Sequence, residues 1–318
     1  MLITSNFWQA LQLLWVLALF FVPAQAKAGA WVKEQNKFYS EFSWGSYEAS
    51  DIFNTSGKRG AIQISPLPGA GFLTGIPASF VQNDVSVFLE YGLGWDFELM
   101  LNSAYLWSSQ KTASETFSVS GIGDSQVGLK YKWFDRSQWV SSFETVLGIP
   151  TGDKNAVGKV TGKIDQPIPL GDGEWDVAFR AWLSRSFHPW PVYVSASYAY
   201  RVRTSSGGTQ YGDDMPWSVD GGYTLALQNA DADRAWLKDI TFYAAVRGLI
   251  ATKDFNLGAI SATAATGTLP SQEFIDIQPG ILFNFHKHFG LNTSFIYNLA
   301  GSNTGAGYRY RVGLTWAF

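Results

Sequence analysis

Four groups of residues have the types that could do chemistry. Ser125 follows Gly123 and Asp124 in a glycine-flanked stretch that could present a serine nucleophile, but that chemistry needs a histidine base within hydrogen-bond reach. The chain has 3 histidines. His188, His286 and His288 all fall in short links between apolar-periodic segments, whereas Ser125 falls at the other end of its segment. A turn Asp-Ser pair capping a strand entrance accounts for the motif. His286-Lys287-His288 lacks the nearby carboxylate or thiolate of a metal site, and there is no cysteine. Gly152 to Lys159 fails as a phosphate loop, because its glycines are one position too far apart and Val160 stands where Ser or Thr is needed. Asp213 with Asp214, or Asp231 and Asp233 with Asp239, lack the repeated spacing of a calcium loop. The expectation is a non-enzyme with no catalytic residue, metal or cofactor.

What remains is a set of charges at alternate positions, and the elements that carry them explain why. Charged residues are 15% of the chain, against roughly 25% in soluble proteins. Aromatics reach 16%, yet mean hydropathy is only -0.02. No stretch of about 20 apolar residues could form a membrane-spanning helix. A net charge of -3 gives no footprint for nucleic acid. The dominant pattern is instead period-two alternation, which places neighbouring side chains on opposite faces of a strand. Phe97, Leu99, Leu101, Tyr105 and Trp107 oppose Glu98, Met100, Asn102 and Ala104. Val127, Leu129, Tyr131 and Trp133 oppose Gln126, Gly128, Lys130 and Lys132.

Read throughout, the alternation predicts about twelve strands, the first near 38–47 and the last near 307–318, joined by alternately long and short links. That is the arrangement of an up-and-down antiparallel transmembrane β-barrel. A secreted sandwich or propeller is the soluble alternative. Against it stand segments of ten residues or more, the length that crosses a bilayer at a tilt. Aromatics also cluster near segment ends, where interfacial rings belong: Phe38, Phe97, Trp133 and Trp139 at one rim, Trp44, Trp107, Trp175 and Tyr308 at the other. Twelve strands lie between the roughly eight that side chains fill and the 16 to 18 that leave an open channel. The expected lumen is therefore narrow, further occluded by the Gly/Pro-rich segment from Pro66 to Pro77.

Since a charge facing lipid at the midplane costs roughly 2 to 4 kcal/mol for Arg or Lys, parity sends the strand charges inward. They are Glu41, Glu90, Glu98, Lys130, Lys132, Glu144, Asp176, Arg180, Arg201, Arg203, Asp220, Arg247, Asp276, Arg309 and Arg311. Two readings stay open. Opposite charges pair across the lumen and fill it, or facing rows of opposite sign line a water-filled path and orient a permeating solute.

The N-terminus carries an apolar segment from Leu11 to Val22, then Pro23 and Ala24-Gln25-Ala26, the layout of a secretory signal with a small-residue cleavage site. The expected organisation is a signal peptide over 1–26 and a mature barrel over 27–318 in the outer membrane of a Gram-negative cell. An uncleaved anchor is disfavoured because the segment is too short to span. At the other end Tyr308, Tyr310, Val312, Leu314, Trp316 and Phe318 form one apolar face. This final strand resembles the terminal signal of bacterial outer-membrane proteins, so the barrel-assembly machinery is an expected partner through Phe318, and outer-membrane lipid another.

Several segments together resemble the outer-membrane barrel family named for the meta-pathway of phenol degradation. They are Gly121-Ile122-Gly123-Asp124 leading into Val127-Gly128-Leu129-Lys130-Tyr131, then Leu147-Gly148-Ile149-Pro150-Thr151-Gly152, Leu170-Gly171-Asp172-Gly173-Glu174-Trp175-Asp176 and Tyr198-Ala199-Tyr200-Arg201. The resemblance implies a barrel moving hydrophobic or aromatic compounds across the outer membrane and brings no catalytic residues. The expected function is a monomeric channel for passive, selective uptake of small organic solutes. The alternative is a non-transporting structural or surface-interaction barrel with a plugged lumen.

Overall fold

The computed structural model describes residues 29–54, 56–64, 76–113, 115–158, 166–204, 209–210, 212–227, 236–252, 256–257, 272–285 and 288–318. The expected signal peptide over 1–26, the occluding segment from Pro66 to Pro77 except for the backbone of its last two residues, and His286 lie outside them. Among the described residues no helix is long and apolar enough to cross a membrane.

Twelve long strands make one closed antiparallel barrel. They are β1 (Phe38–Phe53), β2 (Ile76–Gly94), β3 (Phe97–Thr112), β4 (Ser125–Arg136), β5 (Trp139–Ile149) and β6 (Asp176–Ser186), then β7 (Val192–Arg203), β8 (Asp214–Ala226), β9 (Asp239–Ala251), β10 (Glu273–Phe285), β11 (Phe289–Ser302) and β12 (Thr304–Ala317). Each pairs with its neighbours in sequence, and β1 closes the ring by pairing with both β2 and β12, from Phe38↔Tyr91 and Tyr39↔Ala317 upward. Closure through β1 and β12 pairs the two strands that would otherwise be the edges of an open sheet, as hydrocarbon requires.

Alternation decides which face each side chain takes. Large apolar residues at alternate positions face outward, among them Phe42, Trp44, Leu99, Leu101, Leu129, Val219 and Leu314. Phe143 and Phe179 are 55% and 57% exposed. Exposed apolar surface on this scale suits hydrocarbon and not water. The opposite face carries the polar set. Cross-strand hydroxyl pairs run around it: Ser43 with Ser86, Ser184 with Ser195, Ser197 with Ser218, and Thr224 with Thr241, all between 2.7 and 2.9 Å. Such directly opposed Ser and Thr pairs each add a few tenths of a kcal/mol, up to about 1 kcal/mol, to strand pairing.

The strands are longer than the alternation indicates. β1 reaches Phe53 and β2 starts at Ile76, and one of the long links, that between β3 and β4, contains a further strand, Thr116–Ile122, on the upper half of β3. Gly123 and Asp124 interrupt this strand before β4 takes over the lower half of β3. The extra length lies at the long-loop end, where Glu48, Ser50 and Asp51 leave no apolar face to read. Alternation reports only the lipid-covered stretch; backbone pairing continues beyond it.

The start of β1 and Phe318 meet at the short-turn rim. Phe38 and Phe318 exchange two backbone hydrogen bonds of 3.0 Å, and their rings stack with centroids 4.9 Å apart. Phe97 stacks on Tyr131 and Trp236 on Phe285 along the same rim.

Candidate functional site: the lumen

The lumen holds a piece of the chain itself. Residues 29–37 precede β1 and run inside the barrel from the β6–β7 wall to the β2–β3 wall. Ala30 is fully buried and its N–H donates to Ser184 Oγ at 2.9 Å. Gly29 has φ +80°, and a Cβ there would lie 1.9 Å from Ser195 Oγ. Both its backbone conformation and its close approach therefore need glycine. Trp31 meets Tyr193 edge to face. On the far wall the Lys33 N–H donates to Glu98 Oε2 at 2.7 Å, Lys33 Nζ pairs with Glu90 at 3.1 Å, and Asn36 N–H donates to the Gly92 carbonyl. Gly92 leaves room for the segment, since a Cβ there would lie 2.0 Å from the Glu34 carbonyl oxygen. None of this is visible to parity, because the segment belongs to no strand.

The charges that parity selects sit on the face opposite the apolar belt, and most pair with the adjacent strand along the wall. Buried Lys130 Nζ lies 3.1 Å from Glu98 and 4.0 Å from Glu90, so with Lys33 these four form one chain of alternating charge. Glu144 accepts from Arg180 at 3.2 Å and from Trp182 Nε1 at 2.6 Å. Arg201 bonds both oxygens of Asp214, while Arg203 reaches Asp214 and Asp172. Arg247 is bidentate to Asp276, at 3.0 and 3.2 Å. Arg311 reaches Asp84 at 3.6 Å over Gly45, whose missing side chain leaves the space. Glu41 accepts from Tyr39 and Asn292, and Arg309 lies over the Tyr47 ring. Asp176 faces Gly148 from the same side, at the outer end of β6.

Two residues stand apart. Lys132 keeps its inward parity opposite Ser142 but sits at the short-turn rim, paired with Asp96 and Asp135, just before the bulge that ends the regular part of β4. Asp220 has no hydrogen bond or ion pair among the described residues. Of the partners that sequence reasoning missed, Lys33 lies in the inserted segment, Asp172 in a loop and Asp214 at a strand end, whereas Asp84 lies within β2. Asp214 could have been found, since it begins β8 directly opposite Arg201.

Because the pairs hug the wall, space remains. A cavity of about 840 Å³ runs from the short-turn rim, at Phe38, Lys238, His288 and Phe318, to mid-lumen at Phe88, Trp182 and Arg247. A second of about 210 Å³ lies farther out, between Met100, Glu144, Asp176, Arg180 and Arg201. Phe88 lines both. Above them an apolar cluster of Ala78, Phe117 and Ile168, with Ile62, Phe80 and Val119 against it, covers the inner face at the long-loop end.

The glycine-rich segments meet at that end. Asp124 accepts the N–H of Gly152 at 3.0 Å and of Asp172 at 2.9 Å, and burial, the largest influence, holds its carboxyl above the usual aspartate value. Thr151 Oγ1 donates to the Gly123 carbonyl. Ser125 Oγ lies 2.9 Å from the hydroxyls of Ser103 and Thr151, with no histidine among those partners. Among the described residues, no three His, Cys, Asp or Glu gather as a metal site would need.

No protein-family model matches the chain, and no curated protein does. Solved structures do. The COG4313 outer membrane channel from Pseudomonas putida F1 superimposes with a TM-score of 0.63, covering 94% of this chain and 100% of its own, at 12% identity. The β domain of the Bordetella autotransporter BrkA gives 0.50 over 92% of this chain at 10% identity. The fold is that of outer-membrane β-barrels.

Proposed function

We propose that this chain is an outer-membrane channel for passive, selective uptake of small organic solutes, with no enzymatic role. The observation that carries the reading is the cavity of about 840 Å³, a volume typical of sites for drug-sized ligands. It combines aromatic walls with charges held in place by neighbouring strands. The resemblance to the meta-pathway family points to hydrophobic or aromatic solutes, and the apolar cluster at the long-loop end suits their entry. Glu98, Glu90, Lys130, Glu144, Arg180 and Arg247 then act as a fixed polar lining that admits a solute without collapsing onto it.

The test is solute flux and single-channel current from refolded protein in planar bilayers and liposomes, with Arg180→Gln and Arg247→Gln beside the parent. A channel shows flux that both variants alter. The reading fails if no solute passes and neither variant changes anything. One observation favours the alternative of a plugged, non-transporting barrel: residues 29–37 are pinned at both walls. Flux only after their removal would support that alternative.

A further inference from the structure

Asp220 stands out because everything beside it is small or already engaged. In the sheet it lies directly between Ser195 on β7 and Ala245 on β9, with Ser218 and Gly222 before and after it on its own face. Ser195 and Ser218 are bonded to Ser184 and Ser197. Arg247 lies diagonal to it on β9, and its guanidinium turns the other way to hold Asp276 through two nitrogens. Lys33, the other basic residue deep in the cavity, is spent on Glu90. Among the described residues this carboxylate has no counter-ion, and it faces the large cavity.

The walls around that carboxylate are aromatic. Tyr193 leans over Gly222, where a Cβ would lie 2.4 Å from its ring, while Tyr243 leans the other way, over Gly280 on β10, and lines the same cavity. Trp182, two strands away on β6, and Phe88, across the ring on β2, also line the cavity. A lone carboxylate is too few ligands for a hard metal ion, which takes six or more oxygens. One carboxylate among ring faces is instead the surrounding that holds an organic ammonium, by charge and by the rings' negative faces.

We infer that Asp220 is the recognition site for an organic cation, an amine or quaternary ammonium with an aromatic or aliphatic body, held in the larger chamber with its nitrogen at the carboxylate and its body against Tyr193 and Tyr243. The inference rests on the lumen being a solute path and names the charge class of solute that path selects.

Calorimetric titration of the full-length barrel in a non-ionic detergent tests it, using benzyltrimethylammonium, benzyl alcohol and benzoate as probes. The parent should bind the cation roughly ten-fold more tightly than the alcohol and benzoate least. Asp220→Asn, isosteric with the parent, should bring cation and alcohol within about two-fold of each other, and Asp220→Glu should restore the preference in part. Equal binding of cation and alcohol by the parent, or an unchanged preference in Asp220→Asn, overturns the inference. Flux of benzyl alcohol through parent and Asp220→Asn in liposomes keeps the two readings apart. Flux without cation preference sinks only the Asp220 assignment, whereas cation preference without flux sinks the channel.

Discussion

The backbone N–H of Lys33 donates to a carboxylate oxygen of Glu98 at 2.7 Å, while the other oxygen of Glu98 binds Lys130 at 3.1 Å. One fully buried side chain thereby fastens the inserted segment to the barrel wall. Since Glu98 also neutralises a buried lysine, it joins the stability of the wall to the position of the segment.

Replacing Glu98 by Gln keeps the shape but removes the charge. The Lys33 N–H then loses a charge-assisted acceptor, and Lys130 keeps only Glu90 at 4.0 Å as a close partner. Breaking a buried pair costs about 3 to 5 kcal/mol, so the midpoint of chemical unfolding should fall. Single-channel current should rise as the segment loosens. Recordings in planar bilayers check this, and an unchanged current would separate Glu98 from any hold on the segment.

Gly29→Val tests the other attachment without touching a charge. Its added atoms would collide with Ser195 Oγ and would meet an unfavourable positive φ. The barrel wall should be unaffected, seen as unchanged heat-modifiable migration on a gel. Cleavage after Lys33 or Lys37 by trypsin should become faster. If cleavage stays as slow as in the parent, the β6–β7 contact does not seat the segment.

How much of this was legible in the sequence follows from where each residue sits. Leu99 against Glu98, or Val219 against Asp220, announce their faces because lipid and lumen impose opposite chemistry on neighbouring positions. The strand number and the inward charges came from that contrast alone. Residues 29–33 meet lumen and 34–37 the short-turn rim, so no contrast of faces marks them, and a lysine such as Lys33 looks like any exposed charge. The pairing of inward charges was open for a similar reason. Parity gives a face but not a height, and only the register shows that Arg180 stands directly opposite Glu144 and Arg247 opposite Asp276. The glycine-rich motifs were visible as motifs, but their common purpose, gathering around Asp124, needed the fold.

Asp124→Ala should act at the long-loop end only. It removes the acceptor of two backbone N–H groups in the link between β5 and β6, each of which costs roughly 1 to 3 kcal/mol if left buried and unsatisfied. External protease should cut near Lys154 faster in this variant while the strands stay resistant. Cutting at the parent's rate would mean that Thr151 and the apolar cluster hold the link without Asp124.

Removing Phe318 tests whether the chain end is structural, a signal, or both. Phe318 gives β1 two backbone hydrogen bonds and stacks on Phe38 and His288. Its loss exposes the start of β1 at the seam where the barrel closes. If the residue serves closure alone, refolding into detergent and assembly in cells should both decline, in proportion to the lost contacts. If assembly machinery also reads the terminal aromatic, assembly in cells should fall far more than refolding yield. Phe318→Tyr, which keeps an aromatic ring and the backbone bonds, should then restore it. Heat-modifiable migration measures the folded fraction in both settings. Equal losses in the two settings would remove the assembly machinery from the account of this strand.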